Sequence, residues 1–354
     1  MKSVIQSDAA RKMLLVLGVA LCAAAPAASG QFTAQSVAPA PQLVILDTDI
    51  GDDIDDAFAL ALVLQSPELK LLGVTTTFGD TELRARLVDR YLAAVGRGDI
   101  PVAAGPETPA RTVFTQKAYA ERGPQGQHAD GVDFLLEQIR RHPGEITLIA
   151  IGPLTNVQAA IARDPETFKK LKRVVLMGGS IDRGYDGAPD VNGVGERGGP
   201  DAEWNFQCDP AGAQALLASG VPVFIMPLDS TQVKLPVQNE ERIFAYGSPL
   251  TDQLTLLYHQ WAWRQRAAGN ENHSPAPTLP APTLYDPVAV TYSFRPDLCP
   301  AVPMRIAVDD KGFSRRVPGE PNAQVCLRSD EPGFLDLLTS RLTGDAQPQP
   351  QPQP

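Results

Sequence analysis

Aromatic residues fill only 6% of the 354 positions, and histidine and cysteine occur four times each. Four cysteines in a chain of this length make neither a disulfide framework nor a zinc site. Positive charge is in deficit: 31 Lys and Arg stand against 41 Asp and Glu, a formal net charge of −10. That balance argues against a broad basic surface for a nucleic-acid backbone. No repeat at a fixed period is present, which excludes a solenoid or propeller. Beyond residue 30 no apolar run is long enough to span a bilayer as a helix. By contrast, 33 Pro and 29 Gly are plentiful, which fits many turns between short elements better than a helical bundle. With 43% hydrophobic and 20% charged residues, disorder throughout is excluded.

The first thirty residues stand apart from the fold. Lys2, Arg11 and Lys12 give a basic start, Met13 to Cys22 (MLLVLGVALC) a short apolar core, and Ala28-Ser29-Gly30 the small residues of a cleavage site. This is a secretory signal pattern. Leu21 before Cys22 speaks against a lipid anchor at that cysteine. The expectation is an exported protein, periplasmic or secreted, free of the membrane once the segment is removed. Without it the formal charge moves from −10 to −12, since Asp8 is its only acid. An oxidising compartment permits a Cys299–Cys326 disulfide; free buried thiols are the other reading.

Residues 31–42 read as a linker. Buried strands are expected at Leu43 to Leu46, Leu69 to Thr77, Ile146 to Ile151, Val174 to Met177 and Val221 to Met226, by length and branching. Helices are expected at Ile54 to Gln65, Thr81 to Val95, Val132 to Arg141, Thr155 to Arg163 and Pro210 to Ser219, then over 238–268, near Asp286 and from Gly333 to Leu342. A Pro-rich loop at 269–285 and β-like pieces near 305–327 complete the reading. Apolar strands alternating with helices indicate an α/β fold, an open, mostly parallel central sheet with helices on both faces. It forms one domain over 43–344, followed by a disordered Gln-Pro tail at 345–354.

Six aspartates fall within ten residues after the first strand: Asp47, Asp49, Asp52, Asp53, Asp55 and Asp56. In an open α/β sheet, ligands bind beyond the carboxyl ends of the strands. Carboxylates crowded there repel one another unless a cation sits among them. Oxygen-only ligands select a hard ion, Ca²⁺ or Mg²⁺. One or two such aspartates would pass for helix caps; six do not. An EF-hand loop starting at Asp47 would need Gly at 52 and Glu at 58, where Asp52 and Phe58 stand. A phosphohydrolase of the haloacid dehalogenase type also opens with Asp-x-Asp after a strand, but prefers Thr or Val where Gly51 stands.

Six motifs occur in order: DTDIGDDIDDAFAL (47–60), GVTTTFGDTELRA (73–85), IGPLTNVQAA (151–160), VVLMGGS (174–180), AEWNFQCDP (202–210) and LYDPVAV (284–290). Together they resemble the inosine-uridine-preferring nucleoside hydrolase family over roughly residues 43–300, the first motif being a longer form of its DxDxGxDDxxA signature. The resemblance implies a Rossmann-like nucleoside hydrolase fold and calcium-dependent hydrolysis of the N-glycosidic bond of nucleosides, giving ribose and free base. It implies that Asp49, Asp56, Asp286 and the Thr155 carbonyl hold Ca²⁺, with Asp53 sharing that role through the two-residue insertion, and that Asp55 activates the water. Asp80, in place of the family's Asn, would meet the sugar hydroxyls together with Asp286. Glu203 and Asn205 would hold the 5′ side. Asn156 supports the Thr155 loop, and Met177 is placed against the substrate. It further implies a homo-oligomer, dimer or tetramer.

Glycosidic cleavage passes through an oxocarbenium-like state, for which a cation-oriented water and surrounding carboxylates are suited. Where the family carries a leaving-group histidine, this chain has Tyr285; a phenol, pKa near 10, is the weaker acid. His128, in QGQHADG, is the second candidate acid. Trp204 is a candidate base-stacking residue, whereas Trp261 and Trp263 are expected in a helix core. His259 and His273 are read as helix-surface and loop residues. Two alternatives stay open: a calcium-dependent nucleoside- or sugar-binding protein without turnover, and the phosphohydrolase.

Overall fold

The first strand, β1 (Gln42–Thr48), is apolar on both faces because it lies in the middle of a sheet. Val44 and Leu46 pack into one core with Ala57, Leu60 and Val288, while Ile45 packs into a second with Leu135, Val157 and Ala213. Alternate residues of a strand point to opposite faces, so these two cores are the two sides of the sheet.

The structure is a computed structural model, and it describes residues 40–185, 200–268 and 279–344. The expected signal segment, most of the linker, residues 186–199, most of the Pro-rich loop with His273, and the Gln-Pro tail lie outside the described residues. The further strands are β2 (Leu69–Thr76), β3 (Val102–Ala104), β4 (Ala129–Asp130), β5 (Thr147–Ala150), β6 (Arg173–Met177), β7 (Val223–Met226), β8 (Val302–Met304), β9 (Ile306–Val308), β10 (Ser314–Arg316) and β11 (Ala323–Val325). Nine of them form one sheet in the order β4-β3-β2-β1-β5-β6-β7-β11-β8. All its pairings are parallel except β11 with β8; β9 and β10 pair separately as an antiparallel ribbon. The α/β expectation therefore holds.

Several boundaries differ from the sequence reading. β1 runs on to Thr48, so Asp47 belongs to the sheet and not to the following turn. The next helix spans Asp55–Leu64 and leaves residues 49–54 as a turn. The segment 238–268 is two helices, Val237–Ala245 and Pro249–Ala268, separated at Gly247, whose φ of 72° suits glycine. Strands β3 and β4 escaped notice because two or three residues carry no periodicity. Cys299 and Cys326 form a disulfide with a Cα–Cα distance of 5.7 Å, and Cys208 is free. Among the described residues no helix is long and apolar enough to cross a membrane.

Candidate active site

The chain lays down β1 to β4 outward in one direction, then returns to add β5 to β7 on the other side of β1. The order reverses between β1 and β5, and the crevice beyond the strand ends at such a point is where open α/β sheets bind ligands. A cavity of about 650 Å³ lies there, within the range that takes a small molecule. Asp49 follows β1, Ile151 follows β5 and Met177 ends β6, and all three line it. Gly152 lets the Asp49 side chain come close, because a Cβ there would stand 2.8 Å from Asp49 Oδ1.

Asp55 and Asp56 open the first helical turn after the aspartate loop, and Asp286 opens the turn of the helix Tyr285–Phe294. All three are buried, and one carboxylate oxygen from each lies within 4.8 Å of the others. The Asp286 N–H donates to Asp55 Oδ2 at 3.3 Å, and the Thr48 hydroxyl donates to Asp56 Oδ1. Burial, reinforced by neighbouring carboxylates, pushes all three carboxyls well above their ordinary range. Asp49 is pushed up to about 7, mainly by burial. Three buried acids with facing oxygens fit a hard cation. Asp49 and Asp53 line the same cavity outside this closest trio.

The opposite wall is built on β6 and the turn before the helix Trp204–Cys208. Glu203 caps that helix: its carboxylate accepts from Asn205 N at 2.9 Å, Phe206 N at 3.2 Å and Gly179 N at 2.8 Å. Burial raises its pKa to about 7 although these N–H groups oppose the shift. Asn205 Nδ2 donates to the carbonyls of Ile151 and Met177, both at 3.1 Å, and so ties the ends of β5 and β6 together. Trp204, Tyr185 and Tyr285 supply the aromatic surface. The rings of Tyr185 and Tyr285 meet edge to face at 6.3 Å, and the Tyr185 hydroxyl accepts from Trp204 N at 2.9 Å.

Two expected residues are engaged elsewhere in this arrangement, and two lie beneath or beside the cavity. His128, expected as a proton donor, has Nδ1 facing Glu82 at 2.8 Å and Nε2 facing Asp89 at 2.9 Å, and it does not line the cavity. Asp80, expected at the sugar hydroxyls, is exposed and caps the helix Thr81–Ala94, accepting from Leu83 N at 2.9 Å, and it does not line the cavity. Asn156 is buried beneath the site, where Nδ2 donates to Asp47 Oδ1 at 2.6 Å. Thr155 shares a 2.5 Å hydroxyl contact with Thr77, beside the lining and not within it. Trp261 is buried as expected, but Trp263 is 68% exposed. Sequence reasoning missed Tyr185, Thr112 and Thr115 as lining residues: Tyr185 follows β6 in a stretch outside the recognised motifs, and the threonines sit in a loop without pattern.

Residues 44–336 match the family described as inosine-uridine preferring nucleoside hydrolase. The chain is 29% identical over 333 residues to the pyrimidine-specific ribonucleoside hydrolase RihA of Citrobacter koseri, covering 84% of this chain and 97% of that protein. The same figures hold for RihA of Escherichia coli. Among solved structures, a plant nucleoside hydrolase, the PpNRh1 enzyme, superposes with a TM-score of 0.72 at 27% identity over 86% of this chain and 99% of its own. A purine-preferring ribonucleoside hydrolase from Gardnerella vaginalis gives 0.71 at 23% identity over 86% and 98%, a likeness of fold. With its fold, its acidic crevice and these relatives in agreement, the chain belongs to the inosine-uridine preferring nucleoside hydrolase family and is an enzyme that hydrolyses nucleosides.

Proposed function

We propose that the protein is an exported, Ca²⁺-dependent hydrolase of ribonucleosides. The observation that carries this reading is the buried trio Asp55, Asp56 and Asp286 with oxygens within 4.8 Å of one another. Ca²⁺ would be held by Asp49, Asp53, Asp56, Asp286 and the Thr155 carbonyl, and when bound it lowers the pKa of the attacking water and orients the vicinal sugar hydroxyls. Asp55 accepts the water proton as the oxygen bonds to C1′ and the C1′–N bond breaks. The neighbouring carboxylates favour the positive charge that develops on the ribosyl ring. Glu203 and Asn205 bind the 5′ side of the sugar. Tyr285, beside Asp286 at the cavity, delivers a proton to the departing base.

A panel of inosine, uridine, cytidine, adenosine and a phosphomonoester tests the reading. The expected result is free base and ribose reducing ends from at least one nucleoside and no phosphate from the ester. Nucleoside binding without turnover of any of them would make the chain a binding protein, and phosphate release would make it a phosphohydrolase.

A further inference from the structure

Arg84 lies on the helix Thr81–Ala94, is 2% exposed and does not line the cavity. All three of its guanidinium nitrogens nevertheless donate to the backbone and side chains at or beside the aspartate loop. Nε donates to the Phe78 carbonyl at 2.8 Å. Nη1 donates to the carbonyls of Asp49 and Ile50, the latter at 3.0 Å, and to Asp52 Oδ1 at 3.2 Å. Nη2 completes the fork on Asp52 Oδ2 at 2.8 Å. Phe78 offers its carbonyl from a left-handed backbone, φ 60°, which bulky residues rarely adopt and which surrounding contacts must hold.

The same loop is strapped from the other side. Thr112 donates to Asp52 Oδ2, and Thr115 donates to the carbonyls of Gly51 at 3.2 Å and Asp52 at 2.9 Å. Gln116 Nε2 donates to the Asp53 carbonyl at 3.0 Å. The Phe114 ring lies 5.2 Å from the Arg84 guanidinium and against Gly51, where a Cβ would stand 2.3 Å from it. Asp52, one of the crowded aspartates, is therefore spent on Arg84 and Thr112.

We infer that Arg84, with Asp52, is a positioning residue: it fixes the turn 49–53 so that Asp49 and Asp53 face the cavity, and couples that turn to the rim residues Thr112 and Thr115. The inference rests on the cation reading given above. A lysine cannot reproduce the fork, which needs planar, divergent donors. The sign of one effect separates positioning from charge alone. Removing a positive charge beside a cation site strengthens cation binding by Coulomb attraction, whereas releasing the turn weakens it.

The test titrates chelator-treated wild type, Arg84→Lys and Arg84→Met with Ca²⁺ by calorimetry, and follows amide hydrogen exchange in 49–54 and 107–116 without cation. The expected result is at least tenfold weaker Ca²⁺ binding in both variants, with exchange in the two segments rising together. Affinity equal to or tighter than wild type in either variant overturns the inference. Should Arg84→Met fail to fold, Arg84→Lys decides. Should wild type bind no Ca²⁺, the cation reading fails by itself and exchange decides: unchanged exchange in Arg84→Lys overturns the clamp, and joint loosening of both segments upholds it.

Discussion

The backbone N–H of Asp286 donates to Oδ2 of Asp55 across a sequence separation of 231 residues. That bond joins the helix start after β1 to a helix start near the end of the domain. It holds two buried carboxylates face to face, where burial and then the neighbouring acids push both carboxyls well above their ordinary range.

Asp55→Asn keeps the size and most hydrogen bonds of the side chain but cannot accept the water proton. Turnover should fall at least a hundredfold, about 2.7 kcal/mol in barrier, with nucleoside binding retained. Steady-state rates beside equilibrium binding check this, and a rate near wild type removes Asp55 as the base.

Tyr285→Phe removes a hydroxyl from the cavity. If Tyr285 protonates the leaving group, natural nucleosides should slow far more than p-nitrophenyl riboside, whose leaving group needs no proton. Equal slowing of both substrates rejects the role.

Stability should depend on pH in a sense set by the raised carboxyls. Asp47 is pushed up to about 6 and Asp49 to about 7, both chiefly by burial, from an ordinary value of 3.8. Between pH 4 and 7 the folded, metal-free protein holds protons that the unfolded chain has lost. Its stability therefore falls as pH rises through that window and is fully present only below it. Thermal unfolding of chelated protein should show a higher Tm at pH 5 than at pH 7.5, and Ca²⁺ should raise Tm most at pH 7.5, where protons compete least. A Tm of chelated protein that climbs from pH 5 to 7.5 contradicts this.

Gly51→Ala should disturb the aspartate turn. Gly51 has φ 127°, and an added Cβ would meet the Phe114 ring at 2.3 Å. The expected cost is about 1–3 kcal/mol, typical of forced contacts in a packed site, read by denaturant unfolding. A loss below about 0.5 kcal/mol, the scale of ordinary surface substitutions, would show that the turn yields freely.

The fold and the acidic half of the site were legible because their signals are local. A buried strand running into a string of carboxylates needs no distant partner to be recognised, and Glu203 and Asn205 announce themselves in one short motif. What escaped is long-range. His128 looks like a loop acid until the helix Thr81–Ala94 brings Glu82 and Asp89 to its two nitrogens. Asp52 is one more crowded aspartate in the sequence, and only the fold shows that Arg84, 32 positions away, takes its carboxylate. Trp263 looked like a core residue beside Trp261, yet residues two apart on a helix point to nearly opposite sides, and only Trp261 is buried.

The most direct measurement is ribose release from a nucleoside by chelator-treated protein, before and after adding Ca²⁺, with Asp286→Ala alongside. Activity that vanishes on chelation, returns with Ca²⁺ in wild type and does not return in Asp286→Ala is the predicted result. Full turnover in protein shown to be free of divalent ions would contradict the reading of this acidic pocket.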